Sequence, residues 1–206
     1  RMMAELYGKA AGYSRGRGGS MHISDRLTGN IGANGIVGAG LPLAAGAAMQ
    51  MKREGAGRVA VCFFGDGASN NGVFGETLNL AAIWRLPVLF VLENNCYAAS
   101  THVSETAACA HLSERASGYG VPGIRVFGND PLEVRSAALD AVLRAREGSG
   151  PTLLEAETHR VLGHHVRDRG GYMQREEIER WKALDPLLLI IDRLREAGCA
   201  DGEIAS

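Results

Sequence analysis

Apolar runs that alternate with segments of helical period restrict this chain to few folds. Val59–Phe64 and Val88–Leu92 are apolar throughout, and shorter strands are expected at Ile124–Phe127 and Thr152–Ala156. Helical spacing fills the gaps: Gly35–Glu54, Gly72–Arg85 with Leu78, Ala81 and Ala82 on one face, and Pro131–Arg146. Gln174–Leu184 and Pro186–Ala197 read as two terminal helices. Strands without a polar face must be buried on both sides, so the pattern predicts an α/β fold, a parallel sheet with helices on both faces. In such sheets ligands bind where the carboxyl ends of the strands open onto loops.

Three of those ends carry unusual residues. Val59–Phe64 stops at Gly65-Asp66-Gly67, the next strand at Glu93-Asn94-Asn95-Cys96-Tyr97, and the last runs into His159-Arg160 and on to His164-His165. A carboxylate at a strand end suits magnesium, which takes oxygen ligands and usually keeps positions for substrate phosphates and water. The flanking glycines read as a sharp turn, with Gly67 allowing close approach of a bulky anion and the next helix offering free N–H groups to phosphate. Gly-Asp-Gly alone is also an ordinary turn. Asn94 and Asn95 follow Asp66 at the distance one helix and one strand require for neighbouring ends to meet, and the Tyr97 carbonyl could add a third oxygen. The arrangement predicts a metal bridging a diphosphate.

Composition excludes several alternatives. The 206 residues suffice for one substantial core, and a formal net charge of -1 provides no field to attract nucleic acid or an anionic membrane. No apolar run reaches the ~20 residues of a membrane span. Cys62, Cys96, Cys109 and Cys199 form no CxxC pair and no zinc spacing, which reads as reduced thiols and a cytoplasmic location. The 28 glycines cluster in the first 75 residues, and Arg15–Asn34 reads as an ordered functional loop. The chain is expected to be one domain over residues 1–206, cut from a longer protein at its start, because Met2–Tyr7 already reads as the interior of a helix, with truncation at its end left open.

GDG, a helix and strand, then NN resembles the signature that binds thiamine diphosphate. With Gly16–His22 (GRGGSMH), Gly32–Gly46 (GANGIVGAGLPLAAG), Glu93–Ala98 (ENNCYA) and the run from Arg160 to Ile178, the chain resembles a known family. That family is the alpha subunit of the thiamine-dependent decarboxylating component of 2-oxo acid and acetoin dehydrogenase complexes. The resemblance implies a diphosphate-binding domain of the thiamine diphosphate fold. It also implies magnesium on Asp66, the Asn95 side chain and the Tyr97 main-chain oxygen. Gly67 and Ala68 would lie against the diphosphate, Gly35 and Val37 would meet the aminopyrimidine, Arg160 would pair with the diphosphate, and His164 would be catalytic beside the thiazolium. His165 matches a position that is commonly serine, and His22 is as consistent with a structural as with a catalytic role.

The resemblance further implies a beta subunit in an alpha2beta2 heterotetramer, since no residue here matches the glutamate that activates the aminopyrimidine. It implies a lipoyl-bearing acyltransferase as acceptor of the acyl unit from a small 2-oxo acid or acetoin. Asn71 stands where relatives often have Gln, Ala98-Ala99-Ser100 replaces Gly-Met-Gly, and the loop after His164 lacks paired serines. The pattern YA-x-S-T at Tyr97–Thr101, with GNIGANGIVGAG at Gly29–Gly40, leans toward the acetoin-type branch. A transketolase-like domain and a non-catalytic magnesium–phosphate module remain the alternatives at this stage.

Overall fold

A computed structural model describes residues 1–204, which fall into two compact units, Arg1–Gly40 and Leu41 onward. In the first, the short helix α1 (Met2–Leu6) carries Glu5, only 1% exposed. Its carboxylate accepts backbone N–H groups from Ser14 (2.8 Å), Gly16 (2.9 Å) and Gly18 (2.6 Å). Burial alone would raise its pKa, yet these donors together hold it below the ordinary carboxylate value. The Gly-rich segment is therefore ordered by wrapping one acid. A single 3-10 turn, Arg26–Thr28, follows between the bridged residues Asp25 and Asn30.

The second unit holds α2 (Gly40–Glu54), β1 (Ala60–Gly65), α3 (Gly72–Ile83) and β2 (Val88–Asn94). A two-residue hairpin follows, β3 (Tyr97–Ala98) and β4 (Thr101–His102), then β5 (Gly123–Phe127), α4 (Pro131–Arg146) and β6 (Thr152–Glu157). The chain closes with α5 (Arg175–Lys182), α6 (Pro186–Glu196) and α7 (Asp201–Ile204). The main sheet is wholly parallel in the order β1-β2-β6-β5, as the apolar runs require. None of the described helices is long and apolar enough to cross a membrane.

Alternate residues of the strands feed two cores. Ala60, Cys62, Val88, Phe90, Leu92 and Leu153 pack with α2 and α3 on one face. Leu89, Val91, Val126, Leu154 and Ala156 meet α4 on the other, so helices cover both faces. At the edge strand β1 the α4 face is left bare, with Val61 45% and Phe63 67% exposed.

Helix boundaries follow local chemistry. α4 begins where Asp130 caps it, its Oδ1 accepting the N–H groups of Leu132 (3.0 Å) and Glu133 (3.3 Å), with Pro131 in the first turn. α2 starts five residues later than expected, at Gly40. Pro42 explains the shift: lacking an N–H, it is tolerated in a first turn but not in the interior that a start at Gly35 would create.

One close approach fixes the β5 end of the sheet. A side chain at Gly123 would place its Cβ 2.1 Å from the Ser113 carbonyl oxygen, which is backbone and cannot step aside. Gly123→Ala should therefore lower the unfolding free energy by about 1–3 kcal/mol, the usual cost of overpacking. A lower midpoint in urea at unchanged slope would show it, and an unchanged midpoint would refute the contact.

Candidate functional site

β1 and β2 run side by side with Gly65 opposite Glu93, so Asp66 leaves one strand end beside the Asn94-Asn95 end of the next. Asp66–Asn70 coils into a 3-10 turn that packs against β3. Neither Gly65 nor Gly67 has a positive φ, so the sharp turn expected of them owes nothing to left-handed backbone. What requires glycine at 67 is Ala98, whose Cβ would lie 2.7 Å from any Cβ there. The helix after the turn does not present all its N–H groups freely either. Asn71 caps α3 and accepts from Val73 N–H at 3.1 Å.

Asp66 is 2% exposed, and its Oδ2 is buried with no hydrogen-bond partner among the described residues. Burial pushes its pKa up, against the opposing pull of the Asp66 and Gly67 backbone N–H groups and the positive charge of Arg160. An unpaired buried carboxylate oxygen is costly, and a bound cation removes that cost. Oxygens for such a cation lie close at hand. Asn95 Oδ1 accepts Tyr97 N–H at 3.3 Å and retains a second lone pair, and the Tyr97 carbonyl heads the β3 hairpin.

The Asn94 side chain points elsewhere. Its amide donates to Glu155 Oε1 at 2.8 Å, while Glu155 Oε2 accepts Ser113 N–H at 2.7 Å. Glu155 is fully buried in β6 and ties the end of β2 to the sheet. The positive φ of Cys96 (71°) and Ala99 (50°) then turns the chain tightly back over the Asp66 loop.

Arg160 follows β6 and joins this cluster through its own N–H, which donates to the Asn95 carbonyl at 3.2 Å. Its guanidinium donates to the carbonyls of Tyr97 (3.2 Å), Leu162 (3.2 Å) and Ala99, and to the Tyr172 hydroxyl (2.7 Å). It also faces His164 Nδ1 at 3.2 Å. Because arginine can only donate, Nδ1 is the acceptor and a neutral His164 carries its proton on Nε2. His164 and His165 are exposed and meet edge to face at 6.4 Å. Gly35 and Val37 belong to the first unit, where Asn34 Oδ1 accepts Ile36 N–H at 2.9 Å and both residues are exposed.

Comparison with known proteins decides the family. A family model described as "Dehydrogenase E1 component" matches residues 1–206. The alpha subunit of acetoin:2,6-dichlorophenolindophenol oxidoreductase from Bacillus subtilis (strain 168) is 51% identical over 176 residues, 85% of this chain and 53% of that protein. The subunit of the same name from Cupriavidus necator is 48% identical over 192 residues, 93% of this chain and 58% of that protein. The alpha subunit of the pyruvate dehydrogenase E1 component from Porphyra purpurea is 46% identical over 193 residues, 90% of this chain and 56% of that protein.

The chain belongs to the dehydrogenase E1 component family.

It spans about half the length of the curated relatives it matches. In this E1 component chain the loop after Arg160 is organised by residues that pattern reading passed over. Asp168 Oδ2 accepts His164 N–H (2.7 Å) and the Tyr172 hydroxyl (2.7 Å), and Oδ1 accepts Gly170 N–H (2.8 Å). The Tyr172 hydroxyl, then the two backbone donors, hold the Asp168 pKa down at about 2. Glu155 was detectable as an acid inside the expected strand Thr152–Ala156. Asp168 carried no such signal, since it sits among charged loop residues.

A carboxylate whose folded pKa lies at about 2, below the ordinary 3.8, contributes its contacts fully above 3.8 and loses them as pH falls through 2. Slow amide exchange at His164 and Gly170 should thus persist at neutral pH and fade only in strong acid. Asp168→Asn should speed it at pH 7, read by hydrogen–deuterium exchange. Equal protection in the variant would show that the loop is held by something else.

Proposed function

We propose that this chain is the diphosphate-holding half of a thiamine diphosphate-dependent alpha subunit, acting with a beta subunit on acetoin or a pyruvate-type 2-oxo acid. The observation that carries the reading is Asp66 Oδ2, buried with no hydrogen-bond partner among the described residues, in a turn that leaves β1 level with the end of β2 and packs against β3. This all-oxygen set fits magnesium and not a soft metal. Asp66, Asn95 Oδ1 and the Tyr97 carbonyl would hold the ion, leaving its other positions to diphosphate oxygens. Gly67 and Ala68 would line the diphosphate.

Thiamine diphosphate, when bound, supplies a nucleophilic carbon and an electron sink for breaking a bond next to a carbonyl. The protein's part is holding, orienting and moving protons. Arg160 has the forked donors that phosphate oxygens accept, and turning them to a diphosphate would release the carbonyls of Tyr97 and Ala99. The Asp168–Tyr172 latch keeps the His164 backbone in place while its ring stays accessible. His164 holds a transferable proton at Nε2, fixed there by Arg160 at Nδ1.

Identity to two acetoin-acting alpha subunits supports acetoin as the preferred substrate. A lipoyl group on an acyltransferase is the natural acceptor, with an artificial dye able to replace it. The name of the relative from Porphyra purpurea, a pyruvate dehydrogenase E1 alpha subunit, supports a pyruvate-type enzyme as the second reading.

The test is turnover by the full-length gene product with and without its beta partner, followed by reduction of dichlorophenolindophenol. Activity should require both chains and be highest with acetoin. His164→Ala should lower it about 10²–10⁴-fold, as expected for a lost proton-transfer group, with cofactor affinity little changed. Steady turnover by the alpha chain alone would overturn the two-subunit reading, and full activity in His164→Ala would overturn the histidine's role.

A further inference from the structure

Behind the magnesium-type oxygens lies a second cluster of different chemistry. Cys96, His159 and Glu177 each offer one ligand atom, and the three atoms lie within 4.8 Å of one another. They come from separate segments: the turn after β2, the residue before Arg160, and α5. His159 has a side chain with no solvent exposure, and both of its ring nitrogens lack a hydrogen-bond partner among the described residues. Its Nε2 stands 3.6 Å from Glu177 Oε2, too far for a hydrogen bond. A buried imidazole with neither nitrogen satisfied is costly, and packing alone does not recover that cost.

We propose that Cys96, His159 and Glu177 form a zinc site distinct from the oxygen-lined magnesium site. Thiolate, imidazole and carboxylate are the ligand types zinc combines, and the thiolate and imidazole select against magnesium and calcium. Tetrahedral zinc with bonds of about 2.0–2.3 Å sets its ligand atoms about 3.5 Å apart, close to the His159–Glu177 separation. The ion draws the remaining atoms together. On binding, the Cys96 thiol gives its proton to water, a zinc–sulfur bond forms, and the weak contact from Cys96 Sγ to the Thr158 carbonyl at 3.6 Å is lost.

The surroundings complete the site. Tyr97 O–H donates to Glu177 Oε2 at 3.4 Å and orients the carboxylate, as outer hydrogen bonds do in metal centres. His159 is wedged by Trp181, stacked at 5.8 Å, and by Tyr97, edge-on at 5.8 Å. Tyr97 and Glu177 also line a polar cleft of about 700 Å³. Through Glu177 that cleft would give an ion its entry path and leave the fourth position open to solvent. The ion would brace the loop bearing Asn95 and Tyr97 against the segment bearing Arg160 and against α5.

The test is equilibrium dialysis of the untagged full-length chain against zinc chloride, with magnesium in large excess, followed by metal analysis and thermal unfolding. Wild type should hold one zinc per chain and gain thermal stability with it. Cys96→Ser and His159→Phe, the second keeping the ring stack, should each lose stoichiometric zinc, whereas Asp66→Ala should retain it. Cobalt(II) in the same site should show a sulfur charge-transfer band that Cys96→Ser removes. Absence of bound zinc in folded wild type would overturn the proposal, as would zinc retained by both ligand variants. Zinc lost from Asp66→Ala while the ligand variants keep it would assign the ion to the oxygen site and equally refute the second one.

Discussion

A buried carboxylate with one unpaired oxygen is the constraint around which this half-site is arranged. Burial raises the cost of the Asp66 charge, and among the described residues Oδ2 has no hydrogen-bond partner. The sheet nevertheless delivers it there by register: Gly65 opposite Glu93 sets the two strand ends level. Asp66 is thus held by the most rigid part of the molecule, and its neighbours are held by the same sheet. Glu155, two strands from β1, anchors Asn94, and Arg160 hangs its backbone from Asn95. Oxygen donors pre-placed in this way lose little freedom when an ion binds, which is how fixed sites gain affinity.

The hairpin Tyr97–His102 adds a second layer to that logic. It folds back over the Asp66 turn so closely that only glycine fits at 67, and its carbonyls occupy the Arg160 guanidinium. Arg160 therefore serves as an internal cation for the Tyr97 carbonyl, which the functional proposal gives to a metal. An exchange of partners, not a new fold, is what ligand binding would ask of this loop. The bare α4-side face of β1, with Val61 and Phe63 exposed, belongs to a chain covering about half the length of its relatives.

Much of this was legible in the sequence. Strand runs that are apolar on both faces specify a parallel sheet, and α4 could be placed to the residue because Asp130-Pro131 is a strong start signal. Asp66, Asn95 and Tyr97 could be singled out because chemistry-bearing residues at strand ends stand out against apolar runs. Other parts depend on distance in the fold. Glu155 meets Asn94 across 61 positions and Ser113 across 42, and no local pattern encodes either pairing. The enclosure of His159 between Trp181 and Tyr97 is likewise set by the fold and by no local pattern. Local detail around Gly65 and the α3 N-terminus is not encoded in the motif either: Gly65 is extended, and Asn71 caps α3 by accepting Val73 N–H.

The account stands on Asp66 as the anchor of a magnesium-bridged diphosphate. Calorimetric titration of thiamine diphosphate into the full-length chain assembled with its partner, with and without magnesium, addresses it most directly when wild type is compared with Asp66→Ala. Binding should require magnesium in wild type and collapse in the variant, while the variant's circular dichroism stays native, since the residue ends a strand and fills no core. Affinity unchanged by the substitution, or by the removal of magnesium, would contradict the account.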